Sequence, residues 1–101
     1  MPTPASPEPG RYRGALIGAG GIARQSHLPA LRSAPALRAR VDVVAVVDSA
    51  PGIPPVDGIP LLRDRAALRD LAPLDFIDIC TPTASHLELT VWGLEQGYHV
   101  V

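Results

Sequence analysis

Apolar residues in this chain are gathered into short runs, set apart by polar stretches rich in proline and glycine, and strict alternation is absent. Tyr12 to Gly18, Val41 to Val47 and Phe76 to Cys80 are such runs. Their length and β-branched content predict strands buried on both faces, as in a parallel sheet covered by helices. Between the first two runs, Gly21 to about Arg32 is predicted to be a helix with Ile22, Leu28 and Leu31 inward. Pro29 removes a backbone donor, so a kink or early end is expected there. Ser49 to Pro60 holds four prolines and two glycines, which forbids a helix and predicts a loop. A short strand at Ile59 to Leu62 follows. Asp64 then caps a helix running to about Ala72, with Leu68 and Leu71 inward and Pro73 ending it. Ser85 and Glu88 stand at capping-box spacing and mark a further helix, with Leu87, Val91 and Leu94 on one face and Gly97 as its stop. His99 to Val101 begins another strand. The segment Met1 to Gly10, with prolines at 2, 4, 7 and 9, is expected to be a disordered or extended tail.

Strands alternating with helices at this spacing specify an α/β fold: a Rossmann-type doubly wound parallel sheet, joined by right-handed crossovers and incomplete at its C-terminal edge. Ligands of such sheets bind outside the carboxyl ends of the strands. Gly18 to Gly21, Asp48 and Thr81 to Thr83 all lie at such ends. The turn Gly18-Ala19-Gly20-Gly21-Ile22-Ala23 has the G-x-G-x-x-A pattern. There the first glycine permits a tight turn, the second lets backbone approach a pyrophosphate, and the small third residue lets helix pack on strand. Free N–H groups at the following helix start favour phosphate. Asp48 closes the second strand. These features predict dinucleotide binding.

Composition narrows the classes. A chain of 101 residues with 47% hydrophobic content supports one small domain, placed at residues 11–101 behind the tail at 1–10. A formal charge of −1, with basic residues spread along the chain, points to neither nucleic acid nor an anionic membrane. No run approaches the roughly 18 apolar residues of a spanning helix, and no signal peptide is evident, so a cytoplasmic location is expected. Cys80 is single and lies in an apolar run, where a buried inert thiol is expected. His27 and His99 are read as structural, no metal site is expected, and Asp78, inside a buried strand, should find donors. All nine basic residues are arginines, so no lysine-based chemistry is available within the chain.

The segment from Gly18 through Gln25-Ser26-His27-Leu28-Pro29 to Leu31, taken with Asp75-Phe76-Ile77-Asp78-Ile79-Cys80-Thr81-Pro82-Thr83-Ala84-Ser85-His86, resembles the glucose-fructose oxidoreductase, inositol dehydrogenase and rhizopine-catabolism (Gfo/Idh/MocA) family. The closing Gly97-Tyr98-His99-Val100-Val101 is similar to the segment preceding the family's Glu-Lys-Pro motif. The resemblance implies the cofactor-binding N-terminal part of a larger NAD(P)-dependent oxidoreductase, acting by hydride transfer on sugars, polyols or related carbonyl compounds. The family's acid–base lysine and second α/β domain would lie beyond Val101. The chain itself is therefore expected to hold no catalytic residue, to be inactive alone, and to meet substrate only with that second domain; a homo-oligomer is possible.

Carried over, the resemblance assigns Gly18, Ala19, Gly20, Gly21, Ile22 and Ala23 to the pyrophosphate, Asp48 to the adenosine ribose, and Thr81, Pro82 and Thr83 to the nicotinamide ribose. Position 83 is often asparagine in the family. His86 matches a family histidine at the helix start and either contacts cofactor or shapes the loop. Asp48, with no arginine immediately following, favours NAD over NADP, because a carboxylate repels a 2′-phosphate. The proline-rich loop stands where the family usually carries a helix. A dinucleotide-sensing module and an inactive remnant remain as alternatives, and a methyltransferase binding S-adenosylmethionine is a more distant one.

Overall fold

The computed structural model describes residues 10–56, 58–71 and 73–101, so the predicted tail at 1–9 lies outside the described residues, as does Ala72 at the expected helix end. Five parallel strands form one sheet in the order β3-β2-β1-β4-β5. They are β1 (Tyr12–Ile17), β2 (Val41–Val47), β3 (Leu61–Leu62), β4 (Phe76–Ile79) and β5 (His99–Val100). The chain builds outward from β1 to β2 and β3, then crosses to β4 and β5 on the other side. This reversal makes a topological switch point between the carboxyl ends of β1 and β4. The Cys80 N–H donates to the Ile17 carbonyl at 2.8 Å, joining those two ends. At the opposite ends of the strands, the Arg11 guanidinium hydrogen-bonds Asp42 and holds its carboxyl below the usual carboxylate range.

Strand alternation sends side chains to two cores. One holds Leu16, Val46 and Cys80 with Ala23, Leu28, Val56 and Ile59; the other holds Ala15, Ile17, Ala45, Val47 and Ile77 with Leu68 and Leu89. The first lies beneath helix α1 (Leu28–Ser33), the second beneath the 3-10 helix Arg65–Leu71 and helix α3 (His86–Glu95).

The first helical segment differs from the sequence expectation. It starts at Gly21 as expected but turns π-helical over Ala23–His27, closed by the Leu28 N–H on the Ala23 carbonyl, and passes through Pro29 without ending. Pro29 stands in the first turn of α1, where a missing N–H interrupts no ladder. The break comes instead at Ala34, held extended (φ −64°, ψ 123°) before Pro35, which starts the short α2 (Pro35–Arg38). Ile22 points outward, 52% exposed, while Ala23 takes the inward slot at 2%. Only a one-carbon side chain suits so close an approach of turn to sheet.

The face assigned to α3 is also corrected. Leu87, Val91 and Leu94 do share a side, but it is the outer one, with exposures of 76%, 47% and 60%. Leu89 and Gly93 face the sheet, and a Cβ on Gly93 would stand 2.7 Å from Ile77 Cδ1, so the absent side chain sets how closely the helix packs. The expected capping box does not form. Ser85 Oγ donates to the Pro82 carbonyl and accepts from the Thr81 hydroxyl instead, and Glu88 pairs with Arg65 at 2.9 Å. Gly97 ends the helix at φ +89°, as expected of a glycine stop.

Candidate functional site

A cleft of about 560 Å³ opens at the carboxyl ends of the strands, lined among others by Gly18, Gly20, Asp48, Ser49, Thr81 and Pro82. The two ends that flank the switch point are in contact there. Gly18 adopts φ +101°, and a Cβ on it would meet the Cys80 backbone and Thr81 Cγ2 at 3.0 Å. Glycine is thus required twice over, for conformation and for space. Gly20 is different. Nothing lies within 4 Å of where its Cβ would stand, so the middle of the turn faces open cleft.

Asp48 organises the turn. Its Oδ2 accepts the Ala19 N–H at 2.9 Å, and its Oδ1 accepts the Ala50 N–H at 2.9 Å, bending the chain immediately after β2. Each carboxylate oxygen keeps a further lone pair for a ligand hydroxyl. The Ala19 carbonyl accepts from Arg24 Nε at 2.7 Å, and the same guanidinium hydrogen-bonds the Pro54 carbonyl, tying the turn to the proline-rich loop. The described residues of that loop form no helix, and its Val56 and Ile59 are buried in the core beneath α1.

Across the cleft, Ser85 and His86 brace Thr81. His86 Nε2 lies 2.6 Å from the Thr81 carbonyl, which can only accept, so that nitrogen carries the proton. Of the expected site residues, Gly18, Gly20, Asp48, Thr81 and Pro82 therefore share one cleft, and Ala19 joins it through its N–H. Gly21, Ile22, Ala23 and Thr83 are not among the residues lining it. His86 lines a second cavity, with Thr90, Leu94 and Val100.

Sequence reasoning missed two cations in the cleft, Arg63 and Arg65. Arg63 Nη1 donates to the Ala50 carbonyl at 2.6 Å, bringing a guanidinium to the loop that follows Asp48. Arg65 is held by Glu88 and by the Trp92 ring, whose centroid is 5.1 Å away. Their position just after β3 was the available signal, because every strand's carboxyl end opens on the same crevice.

The donor set suits a dinucleotide. An open glycine cradle stands beside a carboxylate that has unused acceptors, and Arg63 brings a guanidinium to the cleft, where Arg65 is paired with Glu88.

Comparison with known proteins agrees with this geometry. Residues 12–101 match the model of a family described as "Oxidoreductase family, NAD-binding Rossmann fold". D-galactose-1-dehydrogenase from Rhizobium etli is similar in structure, with a TM-score of 0.75 at 25% identity, over 94% of this chain and 29% of that one. The WlbA dehydrogenase from Bordetella pertussis, solved with NADH and UDP-GlcNAcA, has a TM-score of 0.72 at 19% identity, over 89% of this chain and 28% of that one. WlbA (WbpB) from Thermus thermophilus, solved with NAD and α-ketoglutarate, has a TM-score of 0.67 at 24% identity, covering 88% and 31%. The likeness to the two WlbA enzymes shows the fold alone. A search of curated proteins found no match. The chain spans less than a third of the length of these dehydrogenases. Among the described residues, no helix is long and apolar enough to cross a membrane.

Proposed function

We propose, from the premise that this chain belongs to the oxidoreductase family with the NAD-binding Rossmann fold, that residues 11–101 are the cofactor-holding part of a dehydrogenase acting on sugars, polyols or related carbonyl compounds. The single observation that carries the reading is the meeting of the Gly18 turn, Asp48 and Thr81 in one cleft at the β1/β4 switch point. The likeness to a galactose dehydrogenase supports the sugar class.

When bound, NAD supplies the hydride chemistry through its nicotinamide ring. The chain's own part is to bind and orient. The Gly18 to Ala23 turn offers backbone N–H groups and an approach unobstructed at Gly20. Asp48 accepts from ribose hydroxyls while holding Ala19 in place. Thr81 and Pro82, braced by Ser85 and His86, border the nicotinamide side, with Thr83 at the start of the next helical turn. His86 acts here through the Thr81 carbonyl, as a positioning residue. No residue of the chain is assigned acid–base work on substrate, which the resemblance gives to the lysine of the Glu-Lys-Pro motif.

Arg63 modifies the expected preference between cofactors. No arginine immediately follows Asp48 in sequence, yet Arg63 is bonded to the Ala50 carbonyl in space. NAD is favoured through Asp48, and Arg63 softens the penalty for NADP. Calorimetric titration with NAD, NADP and S-adenosylmethionine tests this. NAD should bind more tightly than NADP, and S-adenosylmethionine should not bind. Asp48→Ala should weaken NAD by about tenfold or more, the value of one or two hydrogen bonds to a charged group, and NADP by less. Unchanged NAD affinity in that variant removes Asp48 from the site. The second-domain reading is tested by the codons that follow Val101, which should encode Glu-Lys-Pro.

A further inference from the structure

We infer that His27, Asp78 and Cys80 form a binding site for one thiophilic divalent cation of the Zn²⁺ type, beneath the π-helical turn and beside the dinucleotide cleft. This goes beyond the cofactor reading and does not depend on it. It also departs from the sequence expectation of no metal and of structural roles for these residues.

Asp78 and Cys80 are two positions apart at the end of β4, so both project to the face beneath α1. His27 closes the π-helical turn above them. One ligand atom from each of the three, an imidazole nitrogen, a carboxylate oxygen and a sulfur, lies within 4.8 Å of the others, and His27 Nδ1 is 2.7 Å from Asp78 Oδ2. A tetrahedral ion with bonds of about 2.0–2.3 Å needs its ligand atoms about 3.3–3.8 Å apart, inside that range. The arrangement closes on an ion with small side-chain shifts.

A second observation points to a ligand. Asp78 is only 4% exposed, and its Oδ1 is buried with no hydrogen-bond partner. A carboxylate oxygen in that state is costly, and the Cys80 thiol beside Asp78 is only a weak donor to set against it. A cation does so and also neutralises the pair of negative ligands, since carboxylate and thiolate together balance a charge of two. A thiol buried among apolar side chains keeps its proton without an ion. Binding replaces that proton: the S–H bond breaks, the sulfur–metal bond forms, and one proton leaves to solvent. The His27 side chain, 36% exposed, gives an entry path and room for water as a fourth ligand. The π turn itself is a rare form that recurs at functional sites, and here it places His27 over β4.

The test uses the reduced chain, stripped with EDTA and titrated with Co²⁺ and then Zn²⁺. The expected result is one equivalent of Co²⁺ bound, with a sulfur-to-cobalt charge-transfer band and the intense visible bands of a four-coordinate ion, all bleached by Zn²⁺. Cys80→Ser should abolish the charge-transfer band while its circular dichroism stays as in the parent chain. His27→Gln should weaken Co²⁺ by more than about tenfold, the least that losing even an outer-shell partner costs. Absence of the band at saturating Co²⁺ in folded protein overturns the proposal and leaves a His–Asp pair with a neighbouring thiol. A band that survives Cys80→Ser overturns it equally. NAD binding in EDTA, measured on the same sample, tells failure of this site apart from failure of the cofactor reading.

Discussion

The two faces of the sheet solve the same packing problem with different materials. Beneath the 3-10 helix and α3, the interior is wholly apolar, with Leu68 and Ile77 at zero exposure and Gly93 drawing α3 onto Ile77. Beneath α1, the equivalent interior contains a carboxylate, a thiol and an imidazole at the end of β4. The sheet registers both faces through the same strands, and Ile77 and Asp78 are neighbours in sequence. The buried charged group lies on the α1 face, beside the glycine turn, while the cleft borrows Ile17, Val47 and Leu89 from the edge of the apolar face.

The largest effect that would break this comparison is on the apolar face. Leu68→Ala should cost about 2–5 kcal/mol, read as a lowered urea midpoint, because it empties a fully buried site. A smaller loss, about 1–3 kcal/mol, is expected on the other face from His27→Ala in EDTA, which strips a partner from a buried carboxylate. Making that face apolar too, with His27→Leu and Asp78→Leu together, should recover most of the loss, since a well-packed apolar pair replaces a desolvated one. Failure to recover would mean that the pair is needed for the fold. The smallest effect sharpens the orientation of α3: Leu87→Ser should change stability by no more than about 0.5 kcal/mol, because that side chain is in solvent. A loss comparable to that of Leu68→Ala would put Leu87 in a core.

Much of this architecture was legible in the residues. Val41–Val47 is a strand because β-branched side chains crowd a helix, and its observed bounds coincide with the apolar run. The glycine turn and Asp48 were readable because their roles are backbone roles, fixed by local geometry. What could not be read was orientation. Helix α3 carries apolar residues on both sides, so periodicity offered Leu87, Val91 and Leu94 as readily as Leu89 and Trp92, and a missing side chain at Gly93 decided the matter. Ile22 lost the inward slot to Ala23 for a similar reason, closeness of approach. Ser85 and Glu88 had capping-box spacing, yet both found stronger partners in Thr81, Pro82 and Arg65, which lie outside any helix pattern. Pairings across the fold were equally hidden. Arg63 reaches Ala50, 13 residues earlier, and His27 reaches Asp78, 51 residues later.

The most direct test of the central claim, that a dinucleotide straddles the switch point between β1 and β4, is to follow the backbone amides by NMR as NAD is added. The account predicts that Gly18, Ala19, Gly20, Asp48 and Thr81 shift together with one saturation curve, while Thr90 and Leu94 at the second cavity stay in place. Unmoved amides around the Gly18 turn at saturating NAD in folded protein, or shifts confined to that second cavity, would contradict it.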